Sequence, residues 1–239
     1  MINQITKGNC LDLIKNIATD SIDLIVTSPP YNKHSNKRKI SSKDSWSKAN
    51  ISYGDFEDNL PETEYQNNQI ALLNEMVRVI KPQGSIFYNH KARVINHKII
   101  TPFNWVSSFN IRQLIIWNRK NTPQIAPIRF YPTTEYIYWI TKTNEQPKFY
   151  NKNLIFNSEV WELSAKPSNH PAPFPIQIPL NCIYATTLEN DIVLDPYMGS
   201  GTTALACIQT NRQFIGFELN QNYINMAYDR MQVKEEQLF

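Results

Sequence analysis

The stretch VLDPYMGSGTT (193–203) confines the fold of this chain more tightly than any other. An apolar run, DIVLD (191–195), delivers Asp195, a turn containing Gly199 and Gly201 follows, and the next residues open a helix. Glycine at such a turn lets the backbone bend closely around a ligand. Strand, glycine turn and helix make half of a βαβ unit, which demands a parallel sheet. QFIGFE, beginning at Gln213, is then the next strand, with Glu218 at its end. Taken singly, the glycines read as an ordinary tight turn and Glu218 as an exposed helix cap. Their order and spacing together point to a nucleoside pocket, because a carboxylate at that strand end can accept hydrogen bonds from both ribose hydroxyls.

GSGTTA matches the dinucleotide pattern G-x-G-x-x-A, but that spacing also arises by chance. The lysine of a phosphate-binding GxxxxGK[ST] loop is missing. Only one strand remains after the turn and the helix it opens, whereas a dinucleotide needs two mononucleotide halves. A ligand with one ribose and one adenine suits this arrangement, and S-adenosylmethionine is such a ligand. A nicotinamide-dependent oxidoreductase is the remote alternative.

The remaining elements follow from periodicity. INQIT (2–6) and IDLIVT (22–27) read as strands flanking a short helix around Leu11–Ile17. Ile70, Leu73, Val77 and Ile80 recur at helical spacing, so 61–80 is an amphipathic helix, stopped by KPQG before the strand SIFYN (85–89). A helix interrupted near Pro102 is expected within 94–108. QLIIWN (113–118) and EYIYWIT (135–141) are strands, with Trp117 buried on the sheet. Helices follow over 175–187 and 221–236. The 41% apolar content fills one core, so residues 1–239 are expected to form a single domain. The tally predicts an α/β, doubly wound, mostly parallel seven-stranded sheet of Rossmann-like type. An antiparallel edge strand and a small irregular insertion at 142–165 complete it.

TSPPY (27–31) sits at the carboxyl end of a strand, where ligands of such sheets bind. Its prolines forbid continuation of either helix or central strand. The exocyclic amine of cytosine or adenine is a poor nucleophile, because its lone pair is delocalised into the ring. A site helps by accepting hydrogen bonds from both amine hydrogens, and the Ser28 hydroxyl and Pro29 carbonyl on a loop stiffened by Pro30 could do so. Tyr31 could stack on the base. Such an amine is buried in duplex DNA, so the nucleotide must be flipped out. Without the cofactor motif, a stiff turn with Tyr31 in the core would be an equally good reading.

The chain resembles a DNA amino-methyltransferase of the β group, in which the catalytic block precedes the cofactor block. The resemblance covers nearly the whole chain. ITKGNCLDLI resembles the segment before the catalytic strand and implies that Asn9 and Cys10 lie near the adenine. LIVTSPPYN resembles the catalytic motif, and VRVIKPQGSIFYNH and IIWNRKNTPQIAPIRFYPTTEYIYW resemble the elements that follow it. KPSNHPAPFPIQIPLNCI resembles the segment that joins the cofactor site, with His170, Pro171 and Phe174; His170 either orients the cofactor or caps the next helix. The cofactor residues implied in full are those five with Thr27, Asp195, Pro196, Gly199, Ser200, Gly201, Thr202, Glu218 and Leu219. Serine before Pro-Pro is more usual in N4-cytosine enzymes and aspartate in N6-adenine enzymes. N4 of cytosine is therefore the expected target and N6 of adenine the alternative. A C5-cytosine enzyme needs an attacking cysteine and usually shows Pro-Cys, and none of Cys10, Cys182 and Cys207 follows a proline.

A net charge of +3 neither demands nor excludes nucleic acid. Between Lys33 and Lys48 stand Lys33, Lys37, Arg38, Lys39, Lys43 and Lys48 against Asp44 alone. Taken alone this is a solvated loop; directly after TSPPY, the basic loop 33–60 reads as an arm contacting phosphates. Lys33, Lys37, Arg38 and Lys39 are its DNA-binding candidates, with Arg119 a further one. Segments 33–60 and 142–165 are expected to recognise the target sequence. No apolar run approaches the roughly 20 residues of a membrane span, and MINQITKGNC lacks a signal-peptide pattern. The cysteines lie outside any CxxC arrangement, and His34, His90 and His97 show no metal-ligand spacing. A cytoplasmic protein without metal is expected. Its partner is double-stranded DNA; the resemblance adds a homodimer and a cognate restriction endonuclease. A non-catalytic DNA-binding protein with a relic pocket is a third reading.

Overall fold

The computed structural model describes residues 1–32, 58–120, 130–150, 152–164 and 175–235. Lys33, Lys37, Arg38, Lys39, His170, Pro171 and Phe174 lie outside the described residues. In chain order the strands are β1 (Gln4–Lys7), β2 (Ile22–Thr27), β3 (Ile80–His90), β4 (Arg93–Ile95), β5 (Lys98–Ile100), β6 (Ile111–Asn118), β7 (Thr134–Thr141), β8 (Val160–Glu162), β9 (Ile192–Asp195) and β10 (Gln213–Glu218). The helices are α1 (Cys10–Leu13), α2 (Glu62–Val79), α3 (Phe103–Val106), α4 (Gln177–Thr186), α5 (Thr202–Gln209) and α6 (Gln221–Glu235).

Among the described residues, eight strands form one sheet in the order β1-β10-β9-β2-β3-β7-β6-β8, and β4 and β5 make a separate hairpin. From β1 to β3 all neighbours pair in parallel. Every residue of β2 (IDLIVT) is buried, as expected of a parallel strand covered on both faces. One face packs Leu24, Val26 and Val193 against α4, α5 and α6. The other packs Ile22, Ile25 and Leu194 against α1, α2 and α3. This is the doubly wound α/β class expected.

Three details differ from expectation. The main sheet has eight strands rather than seven, because β8, inside the 142–165 segment, pairs in parallel with β6 through Val160, Trp161 and Glu162. Three residues are too few to carry a periodic signal. The antiparallel pair expected from the short link is β6–β7, yet β7 also pairs with β3 and β8 lies outside β6. The antiparallel strand is therefore internal, and a short third strand forms the edge. The hairpin β4–β5 also replaces the first part of the helix expected at 94–108; only α3 remains of it.

Candidate active site

Strand order reverses between β2 and β9, which leaves a crevice beyond their carboxyl ends. At that point β2 hands over to Ser28-Pro29-Pro30-Tyr31, and β9 to Pro196–Gly201. Gly199 takes a left-handed conformation (φ 53°) that favours glycine. The two turns are joined beneath the crevice, where the Thr27 hydroxyl donates to Asp195 Oδ1 at 2.8 Å. Thr203 donates to Asp195 Oδ2 at 2.7 Å and the Tyr197 N–H to Oδ1 at 3.0 Å. Burial pushes the Asp195 carboxyl up to about 6, against the pull of those donors.

One cavity is lined by Ser28 to Tyr31 from the first turn and by Pro196, Gly199, Ser200 and Thr202 from the second. Asn9, Cys10, Glu218 and Leu219 also line it. Asn9 caps α1 by accepting the Leu11 N–H at 2.9 Å, and burial raises the Cys10 thiol to about 11. Glu218 accepts the Gly199 N–H through Oε2 and the Asn220 N–H through Oε1, both at 2.9 Å. Burial raises its carboxyl above the ordinary value despite these donors. The hydroxyl of Ser200 accepts from Arg230 of α6 at 2.7 Å.

Thr27, Asp195 and Gly201 lie behind the wall instead. Asp195 is enclosed with both oxygens bound to protein groups, and Gly201 (φ 79°) faces α6, where an added Cβ would meet Ala227 Cβ at 2.8 Å. Arg119 is ion-paired with Glu135 at 2.9 Å and lies over the Trp117 ring, so its guanidinium is engaged within the protein. Trp117 is buried as expected. The 142–165 segment begins far from the cavity: Lys148 and Tyr150 bond to Gln83 and Ala185, and the Lys148 ammonium faces Asp23 and Asp191, near the amino ends of β2 and β9. Among its described residues, the segment reaches the site end of the sheet at Glu162 and Leu163, beside Asn118.

The family model for DNA methylases of the N6/N4 methyltransferase type matches residues 22–229. The chain belongs to that family. It is 29% identical to Type II methyltransferase M.BglII from Bacillus subtilis, over 95% of this chain and 68% of that one. It is 31% identical to Type II methyltransferase M.HpaI from Haemophilus parainfluenzae, over 94% of this chain and 72% of that one. Among solved structures, PvuII DNA methyltransferase (cytosine-N4-specific) aligns with a TM-score of 0.72 at 22% identity, over 94% of this chain and 84% of that one. The M1.HpyAVI–SAM complex aligns at 0.63 and 26% identity, over 95% of this chain and 98% of that one. Membership in a methylase family leaves the nicotinamide reading of GSGTTA without support. Among the described residues, no helix is long and apolar enough to cross a membrane.

In this DNA methylase, several residues that sequence reasoning passed over also face the cavity, among them Tyr65, Gln69, Tyr197, Phe217 and Tyr223. Beneath Ser28 and Tyr31 lies a further layer, Asn89 and Glu135. Asn89 Nδ2 donates to Tyr31 Oη at 2.9 Å and to Glu135 Oε2 at 3.0 Å. Tyr31 donates to the same Oε2 at 2.8 Å, and its ring packs on His90 with centroids 4.8 Å apart. Burial holds the His90 imidazole down at about 3, hence neutral, with Nε2 at 2.6 Å from the Tyr65 hydroxyl. One signal could have found Asn89 and Glu135. Both are polar residues in apolar strands, at the sheet end where ligands bind.

Proposed function

We propose that this protein transfers a methyl group from S-adenosylmethionine to N4 of a flipped cytosine in duplex DNA, as the modification enzyme of a Type II restriction–modification pair. The observation that carries the reading is the single cavity shared by the Ser-Pro-Pro-Tyr loop and the glycine turn. The site suits the cofactor: Glu218 is a largely buried carboxylate with lone pairs left for ribose hydroxyls, and Leu219, Phe217 and Tyr223 offer apolar walls for a purine. When bound, S-adenosylmethionine supplies an activated methyl on a sulfonium that leaves neutral, so no metal is required. The protein's part is alignment and preorganised acceptors. Ser28 and the Pro29 carbonyl receive the amine, and Tyr31 bounds the base pocket.

Serine rather than aspartate before Pro-Pro favours cytosine over adenine. The basic residues suit a DNA-contacting arm, because the described chain before and after them meets at the cavity: Asn32 and Leu60 exchange hydrogen bonds of 2.9 and 2.8 Å, and Leu60 lines the cavity. Nucleoside mass spectrometry on DNA from a methylation-free host expressing the chain tests the reading. N4-methylcytosine is expected, with Ser28→Ala accumulating it about 10²-fold more slowly. N6-methyladenine alone would overturn the choice of base, and neither mark, in a protein that binds the cofactor, would overturn the activity.

A further inference from the structure

Ser28 is a weak base, and a hydroxyl can donate as readily as it accepts. Nothing in Ser28 itself makes it an acceptor for an amine. The layer behind it does. Glu135, 4% exposed, accepts at both oxygens: from Arg119 Nη1 at 2.9 Å on Oε1, and from Tyr31 and Asn89 on Oε2. A carboxylate that accepts at both oxygens has no proton to give, so the one hydroxyl proton of Tyr31 is committed to Glu135. Tyr31 Oη and Ser28 Oγ are 2.8 Å apart. With its own proton spent, Tyr31 can only accept there, and Ser28 must donate. The Ser28 proton therefore points away from the cavity. The two hydrogens of Asn89 Nδ2 already serve Tyr31 and Glu135, so the 3.2 Å contact to Ser28 Oγ is at most a shared, weak one, and Ser28 lines the cavity with a lone pair to spare.

We propose that Glu135 is a positioning residue that works through Tyr31: it fixes the Ser28 hydroxyl as an acceptor for the target amine and serves as the sink for the proton that amine sheds. The inference rests on the methyltransferase reading. After methyl transfer the nitrogen carries a positive charge and one proton too many. The N–H bond breaks towards Ser28 Oγ, the Ser28 proton passes to Tyr31 Oη, and the Tyr31 proton passes to Glu135 Oε2. Both hydroxyls end as they began, and one proton rests on the carboxyl beside Arg119, to be lost to water when the product leaves. Neither an oxidant nor a further reactant is needed. The serine thus gains through two hydrogen bonds the carboxylate that an aspartate at its own position would supply directly.

A double-mutant cycle tests the relay. Glu135→Gln, Tyr31→Phe and the double variant are compared in single-turnover methylation of unmethylated plasmid DNA. Cofactor affinity by calorimetry and thermal melting are measured alongside. Each single variant is expected to slow transfer about 10²-fold, with cofactor affinity within about twofold of wild type. The double variant should be no more than about twofold slower than the worse single one, because both changes cut one chain. Losses that multiply, or a single variant that keeps the wild-type rate, would overturn the relay. Should Glu135→Gln fail to fold, Tyr31→Phe, which leaves the Glu135–Arg119 pair in place, decides the matter alone. A wild type that binds cofactor but methylates nothing brings down the methyltransferase reading itself, an outcome distinct from active wild type with indifferent variants.

Discussion

Asp195 belongs to the cofactor motif by position and to the fold by contact. Its oxygens hold Thr27 at the end of β2 and Thr203 in α5, which fixes the spacing of the two turns. Burying it costs more than those donors return, so its carboxyl titrates near 6 instead of 3.8. A carboxyl whose pKa is raised on folding binds its proton more tightly in the folded state. Its stabilising contribution is complete below about 3.8 and is lost as pH rises through about 6, a difference of about 3 kcal/mol. Asp195→Asn should flatten that dependence. Urea unfolding of both proteins at pH 4.5 and pH 7 checks it, and equal slopes in variant and wild type would refute the assignment. A strand-ending aspartate before a glycine turn is visible in the sequence, but its partners are not. Thr27 lies 168 residues away, so a role as direct cofactor contact was the natural expectation and a clamp behind the pocket could be found only from the fold.

At the scale of elements, legibility followed length and periodicity. The helix expected over 61–80 is α2, yet its buried stripe runs Tyr65, Gln69, Leu72, Leu73, Met76 and Val79. Ile70 and Val77, two of the residues that announced the helix, sit at the edge of that stripe. Gln69, a polar residue within that stripe, is buried and accepts from the Tyr88 hydroxyl at 2.9 Å. The β4–β5 hairpin went unread because its turn residues, Asn96 and His97, both take positive φ (48° and 63°) without the Asn-Gly or Asp-Gly pair that usually marks such a turn. Gly201 was read as a ligand-side glycine; it serves the meeting of α5 and α6. Its φ of 79° and the 2.8 Å approach of Ala227 Cβ both penalise a side chain. Gly201→Ala should cost about 2–4 kcal/mol, from backbone strain and overpacking together. A urea midpoint unchanged by the substitution would show that α6 can move aside.

Across the whole molecule, the cavity gathers residues that the chain order keeps apart. Asn9 and Cys10 come from its start, Ser28 to Tyr31 from the next turn, and Pro196 to Ser200 with Glu218 from its last quarter. A ligand in that cavity bridges β1, β2, β9 and β10 and binds only when all of them are assembled, so its binding energy is added to folding stability. At 100 times its dissociation constant, S-adenosylmethionine should stabilise the protein by about 2.7 kcal/mol. For a domain of this size that raises the melting temperature by roughly 5–10 °C. Glu218 sits where this coupling is most exposed to test, since it holds the glycine turn through the Gly199 N–H and offers its free lone pairs to the cavity. Glu218→Ala should lose more than half of the cofactor-induced rise while still unfolding cooperatively in its absence. Thermal melts with and without saturating S-adenosylmethionine measure both quantities. A variant that kept the full rise would remove Glu218 from the nucleoside site and leave it as the brace of the turn alone.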